Sequence, residues 1–217
     1  MDVKVAEEIE KFFTQFRFQK YKKGEILIQA EQDPGSIFYL KSGLVKHYAI
    51  SKKGDELVLN IYTPVAFFPM TWAINQSPNH YYWEAVSDVE VWKAPADEVV
   101  TFVKENPDVL FDLLSRVYRG TDGLITRMAY LMSGSAYTRL ITELIIHAKR
   151  FGKKEENGML VTIEIAEKDL ATRAGMTRET ISREMKNLKD KGLVSFQKNL
   201  LIVHNIDKLE EELAGDI

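Results

Sequence analysis

The chain has 217 residues, 45% of them hydrophobic and 28% charged, with 29 Lys plus Arg against 32 Asp plus Glu and a formal net charge of −3. That length and balance suit one large or two modest soluble globular domains and argue against disorder. The complete lack of cysteine excludes structural disulfides, thiolate-held zinc, cysteine-ligated iron–sulfur clusters and thiol redox sensing.

The start, Met1-Asp-Val-Lys-Val-Ala-Glu-Glu8, lacks the basic-then-apolar layout of a secretory leader, so a cytoplasmic location is expected. No run of about 18 apolar residues occurs, and no membrane partner is expected. Val5, Ile9, Phe12, Phe13 and Phe16 recur at helical spacing and predict a short amphipathic helix over 4–18. From about Lys20 the period changes. Glu25–Gln29, Ser36–Leu40, Leu44–Ile50 and Glu56–Tyr62 are strand-length and rich in β-branched and aromatic residues, separated by the turn signals Lys23-Gly24, Asp33-Pro34-Gly35, Ser42-Gly43 and Lys53-Gly54-Asp55. After a proline-bearing aromatic crossover from Pro64 to Pro78, two more strands are predicted over Tyr81–Val86 and Val89–Ala94. Together they predict a compact antiparallel β-roll or sandwich.

Helix is expected from Asp97 to Lys104, with a break at Asn106-Pro107 and a long helix from Asp108, Pro107 suiting its first turn. Along it Leu110, Val117, Leu124 and Leu131 recur every seventh residue, with Leu114, Thr121 and Met128 four residues on. Such an a/d seam predicts pairing with a second copy of the helix. The alternative is that part of the stripe packs on the β-roll, and Gly120, Thr121 and Gly123 are expected to weaken the helix in its middle. Ser133-Gly134-Ser135 marks a hinge. Beyond it come an amphipathic helix carrying Leu140, Ile141, Leu144, Ile145 and Ala148, a polar loop over 152–158 and a strand over Leu160–Ile165.

Leu170-Ala-Thr-Arg-Ala-Gly-Met-Thr-Arg-Glu-Thr-Ile-Ser-Arg183 is the most informative stretch: a short helix, a glycine-bearing turn and a second helix. Gly175 stands where the chain must reverse, a position that favours positive φ, and Thr177 suits the next N-cap. Ile181, Met185 and Leu188 give the second helix one apolar face. Glu179 and Arg183 share another. A guanidinium matches guanine O6 and N7, and a carboxylate accepts from a cytosine amino group, so the two can read one G·C pair. The bland alternative is a surface ion pair between them, worth ~0.3–0.5 kcal/mol. From Lys168 to Lys198 there are eight Lys or Arg against four Asp or Glu, a basic patch suited to phosphate in a chain that is acidic overall. A hairpin follows, Leu193–Phe196 and Leu200–Val203 flanking Gln197-Lys198-Asn199, which makes a winged helix with Lys198 at the wing tip.

This layout resembles the CRP/FNR superfamily of bacterial transcription regulators over nearly the whole chain. Arg178-Glu-Thr-Ile-Ser-Arg183 is similar to the family's recognition-helix signature, and Phe38-Tyr-Leu-Lys-Ser-Gly-Leu-Val-Lys46 to its glycine-spaced strand pattern. The resemblance implies an α+β fold: a β-roll sensor over 1–107, a dimerisation helix over 108–133 and a winged helix-turn-helix over 134–217. It implies double-stranded DNA, a second copy of the chain and RNA polymerase as partners. Arg178, Glu179 and Arg183 are the implied base contacts, and Thr177, Thr180, Ser182, Lys186 and Lys198 the phosphate contacts. Arg178 matches the residue that cyclic-AMP receptor proteins use for an outer guanine, and Ser182 resembles the serine of the FNR branch, so half-sites near GTGA or TTGA in an inverted repeat are expected.

The departures bear on the sensor. Members that bind cyclic AMP carry a Gly-Glu pair and, further on, an Arg-Ser or Arg-Thr. Here those positions fall at Pro69-Met70 and around Asn79-His80-Tyr81. With no guanidinium for the phosphate, a sensor that does not bind cyclic nucleotides is expected. Phe67, Phe68, Met70, Trp72, Tyr81 and Tyr82, with Trp83, either line an effector pocket or form core. No cofactor or metal is expected, since His47 and His80 lie in no ligand-spaced cluster. Two other readings stand beside this one: a ligand-independent regulator with a degenerate sensor, and a small metal-dependent β-barrel enzyme using His47, His80 and Glu84, which lacks an HxH pair.

Overall fold

The computed structural model describes residues 2–52, 54, 56–154, 160–197 and 200–213. It divides into two compact units, Met1–Val117 and Tyr118–Ile217, the division falling inside the long helix. In chain order the first unit contains α1 (Val3–Phe13), β1 (Arg17–Tyr21), β2 (Ile26–Ile28), β3 (Ser36–Ser42), β4 (Val45–Ile50), β5 (Glu56–Tyr62), β6 (Phe67–Phe68), α2 (Met70–Asn75), β7 (Tyr82–Ala85), β8 (Val89–Pro95), α3 (Ala96–Glu105) and the start of α4 (Pro107–Ser133).

The strands form two four-stranded antiparallel sheets, ordered β1-β8-β3-β6 and β2-β7-β4-β5. β3 explains why its sequence reads as a continuous apolar run rather than an alternation. Ile37 and Tyr39 enter a core shared with Ile9, Phe13, Val99 and Val103 of α1 and α3, while Phe38 and Leu40 enter a second core between the sheets with Val45, Phe68, Trp83 and Val91. Both faces of the strand are thus buried. Gly43 has φ +88, and a Cβ there would lie 2.3 Å from the Asp88 carbonyl oxygen, so the turn between β3 and β4 accepts glycine alone.

The sequence expectation differs from the structure in two places here. The first helix stops at Phe13, because Arg17–Tyr21 is drawn into β1 against β8, in register Phe18↔Trp92. Phe16 still packs on the α1–α3 core from outside the helix, which is why its spacing looked helical. The crossover from Pro64 to Pro78 contains β6 and α2, neither of them predicted.

The second unit continues with α5 (Ala136–Phe151), β9 (Lys153–Lys154), β10 (Leu160–Glu164), α6 (Glu167–Ala174), α7 (Arg178–Asp190), β11 (Val194–Gln197), β12 (Leu200–Val203) and α8 (Ile206–Glu211). Its sheet order is β11-β12-β10-β9. Leu140, Ile141, Leu144, Leu170, Ile181, Met185, Leu188, Leu201 and Val203 make one core. α4 runs unbroken through Gly120 and Gly123. It ends at Ser133, where the Gly134 amide donates to the Tyr130 carbonyl at 2.8 Å and the Ser135 hydroxyl caps α5 by accepting from the Thr138 amide at 3.2 Å. β9, a pair of lysines, and α8, capped by Asn205 through the Lys208 amide, were not foreseen.

Candidate nucleic-acid interface

The turn between α6 and α7 is built from two backbone bonds. The Met176 amide donates to the Ala171 carbonyl at 3.0 Å and the Gly175 amide to Thr172 at 3.4 Å, with Gly175 left-handed at φ 60, ψ 43. This is a Schellman stop, and it ends α6. Two residues on, the Thr177 hydroxyl accepts from the Thr180 amide at 3.3 Å and starts α7.

Ile181, Met185 and Leu188 are completely buried. They fix the rotation of α7, so Thr177, Arg178, Glu179, Ser182, Arg183 and Lys186 face solvent, with Thr180 half-buried. The recognition-type side chains therefore share one outward surface. The alternative of a surface ion pair between Glu179 and Arg183 is not realised. Arg183 Nε donates instead to Glu184 Oε1 at 3.0 Å, with the Arg183 side chain 70% exposed. The Glu179 carboxyl is held below the usual carboxylate range by its own backbone amide and by the Thr177 hydroxyl, so it is ionised and oriented at the helix start. A carboxylate acceptor and a guanidinium donor thus stand one turn apart, uncommitted to each other. Behind them β11 and β12 form the hairpin, Gln197↔Leu200 being the last pair before its tip. Lys198 lies outside the described residues.

In the first unit the six aromatic and apolar residues suggested as an effector pocket do not face one space. Phe67, Met70 and Trp72 pack on the α1–α3 core, and Phe68 lies between the sheets. Tyr82 stacks on Tyr48 at 5.2 Å, whereas Tyr81 is 39% exposed beside His47 at 4.8 Å. Asn79 is a buried loop brace, donating to the carbonyls of Gln29 at 2.8 Å and Tyr81 at 3.1 Å. His80 Nδ1 stands 2.8 Å from Glu31 on the surface.

The three residues of the metal-enzyme reading are also kept apart. His47 lies opposite Trp83, while the adjacent pair is Lys46 opposite Glu84, so His47 and Glu84 face opposite sides of their sheet. Lys46 closes on Glu56 at 2.7 Å and Glu84 at 3.3 Å. Among the described residues no three ligating side chains gather.

Burial lowers the pKa of His47 from 6.5 to about 4. A depressed histidine is neutral in the fold but takes a proton in the unfolded chain. Its contribution is present above pH 6.5 and is lost as pH falls through 4, up to about 3 kcal/mol in all. Urea unfolding between pH 7 and pH 4 is expected to show that loss, and His47→Phe to flatten it. An unchanged slope in the variant would assign the acid sensitivity elsewhere.

A helix-turn-helix backed by a β-hairpin, in a chain that begins with an eight-stranded roll, defines the class: a winged helix-turn-helix protein with an N-terminal sensor-type domain. Residues 18–106 match the family described as the cyclic nucleotide-binding domain, and residues 138–212 the Crp-like helix-turn-helix domain. The chain belongs to the CRP/FNR family of transcription regulators, a family of regulators and not of enzymes.

It is 28% identical to the global nitrogen regulator of Nostoc sp., over 79% of this chain and 78% of that one. It is 22% identical to the cAMP-activated global transcriptional regulator CRP of Pasteurella multocida, over 90% and 94%. Among solved structures it shares its fold with a CRP/FNR-family transcriptional regulator from Thermus thermophilus, TM-score 0.70 at 20% identity over 93% of this chain and 100% of that one. The c-di-GMP responsive regulator CLP of Xanthomonas campestris aligns with TM-score 0.74 at 17% identity, over 92% and 99%.

Proposed function

We propose that this chain is a cytoplasmic bacterial regulator that binds double-stranded DNA as a homodimer, reads an inverted repeat with TGA-type half-site cores, and works with RNA polymerase. In this reading residues 1–107 sense, 108–133 dimerise and 134–217 bind DNA. The observation that carries it is the solvent face of α7. Three buried apolar residues hold Arg178, Glu179 and Arg183 outward, with the donor and acceptor chemistry that reads G·C edges in a major groove. Thr177, Thr180, Ser182 and Lys186 border them and would position the helix through phosphates, together with Lys198.

Arg183→Ala is expected to weaken binding to a TGA-containing palindrome by about 1–3 kcal/mol and to leave affinity for random DNA almost unchanged. Titrations of both DNAs at one salt concentration decide this. An equal loss on random sequence would make Arg183 a phosphate contact.

The sensor is read as one that takes no cyclic nucleotide. Pro69-Met70 and the neighbourhood of Asn79-His80-Tyr81 fall where the resemblance places the Gly-Glu pair and the phosphate-binding arginine, and His80 is engaged with Glu31 on the surface. A cyclic phosphate carries a full charge, and burying it without such a partner costs more than ring stacking returns. Calorimetry with cyclic AMP and cyclic GMP is expected to show no binding at physiological concentration. A submicromolar Kd coupled to DNA binding would overturn this part of the reading.

A further inference from the structure

Val65, in the turn between β5 and β6, has φ 70 and is the one β-branched residue at positive φ among the described residues. For such a side chain the left-handed region is a genuine outlier, and it persists only where the surroundings over-determine it. Here they do. The Val65 amide donates to the Leu40 carbonyl of β3 at 2.8 Å, and the Leu40 amide to the Ala66 carbonyl at 2.8 Å. The Val65 carbonyl accepts from Nη1 of Arg116 on α4, also at 2.8 Å. That guanidinium is itself fixed. Its Nε and Nη2 each stand 2.6 Å from Oδ2 of Asp112, one turn earlier on α4, and the Asp112 side chain is only 11% exposed.

Two of these restraints belong to the roll and one to α4, which makes the turn a junction between them. Only Ala66 separates Val65 from β6, where Phe67 enters the α1–α3 core and Phe68 stacks on Tyr62 at 4.8 Å between the sheets. Val65 and Leu113 pack against the same α1–α3 core, so apolar packing and the Arg116 bond seat α4 on the roll at one place. Along the helix, Arg116 directly precedes Val117 and is two residues from Leu114, both exposed members of the heptad seam. A peptide plane turns with the dihedrals beside it. If Val65 relaxed to negative φ, its carbonyl would turn away from Arg116; loss of Arg116 would in turn remove a restraint that keeps φ positive. Each event favours the other, which is how a two-state element behaves.

We propose that Val65 and Arg116 form a strained latch between the β-roll and α4. Closed, it holds the turn in its costly conformation and seats residues 107–117 of α4. Open, it lets the turn relax and frees Leu110, Leu114 and Val117 to take another position, so the state of the roll reaches the helix that carries the seam. This goes beyond the DNA-binding reading, which names no link between the roll and α4.

Hydrogen exchange of the full-length protein, read by mass spectrometry over residues 107–117, tests the latch without DNA. Glycine adopts positive φ without strain, so Val65→Gly is expected to hold the latch closed and slow exchange there about threefold, the relieved strain exceeding the chain entropy that glycine adds. Val65→Asn, which also accepts this region and keeps nearly the size of valine, is expected to do the same, and so separates backbone relief from lost packing. Arg116→Met with Asp112→Asn opens the latch and strands no charge; exchange is expected to quicken about tenfold, the effect of one charge-assisted hydrogen bond. With Arg116 gone the turn is already relaxed, so adding Val65→Gly to that pair is expected to slow nothing. Affinity for a TGA-containing palindrome is expected to move in opposite directions for Val65→Gly and for the Arg116 pair. Exchange that is unchanged or faster in both Val65 variants, an equal effect of glycine with and without Arg116, or DNA affinities that move together or not at all overturn the latch. The Val65 variants keep every hydrogen bond of the turn, so they stand as the test if the Arg116 pair impairs folding. Wild-type protein with no preference for the palindrome would overturn the half-site reading alone, and exchange would still decide the latch.

Discussion

Replacing Arg127 by methionine is expected to lower the stability of the second unit by about 3 kcal/mol, the lower end of the range for breaking a buried ion pair. Arg127 on α4 holds Glu143 on α5 through two nitrogens, Nε to Oε1 and Nη2 to Oε2, the latter at 3.0 Å. The Glu143 carboxylate is 2% exposed and the Arg127 side chain 18%. Methionine keeps the stem and removes the charge, so the loss comes from a carboxylate left buried beside a neutral side chain. Arg173 of α6 moderates it. Burial lowers the pKa of that guanidinium while Glu143 opposes the shift, which shows that the two feel each other.

The control separates broken from absent. Arg127→Met together with Glu143→Gln removes both charges and is expected to recover much of the loss, because the desolvated carboxylate is gone. Urea unfolding of wild type, both singles and the double decides it. A single variant as stable as wild type would reduce the pair to a bystander. The place matters because the pair fastens the C-terminal half of α4 to α5 within one turn or two of Gly134, where a Cβ would meet the Tyr130 carbonyl oxygen at 2.6 Å. The ion pair braces α4 against α5 beside Ser133-Gly134-Ser135, and no local pattern announces it.

Much of the helix-turn-helix was legible because its rules are local. A glycine at the reversal, a threonine cap and an apolar period of four and three are properties of consecutive residues, and Gly175, Thr177, Ile181, Met185 and Leu188 behave as those rules require. The glycine-spaced strand was legible for the same reason, Gly43 being forced by positive φ and by Asp88. What escaped depends on partners distant in sequence. Arg17 and Phe18 read as a helix end until Lys93 and Trp92 are beside them. The aromatic list from Phe67 to Tyr82 looks like one lining, yet residues of a strand alternate faces, and neighbours such as Phe67 and Phe68 end in different cores. Val65 and Arg116 are far apart in the chain and are united only by the seating of α4 on the roll. No spacing rule joins them.

Leu124→Glu is expected to convert the protein to monomers in sedimentation at micromolar concentration, with its helical content intact. Leu110, Leu114, Val117, Leu124, Met128 and Leu131 are 39% to 59% exposed in the single chain, and of the residues of α4 only Val109 is buried. Packing on the β-roll falls to Val109 and Leu113, which join the α1–α3 core, and not to the heptad residues beside them. So wide an exposed apolar stripe along a helix marks an interaction surface, and its 3.5-residue period fits an identical helix. A glutamate at position 124 costs the single chain almost nothing, since the site is already half in water. In a two-fold pair the same charge is buried twice without a partner, at several kcal/mol in total. On the proposed reading, in which a dimer grips an inverted repeat with two α7 helices, the monomers are also expected to lose most of their preference for the palindrome over a single half-site. A variant that still sediments as a dimer would place the interface on another face of the molecule.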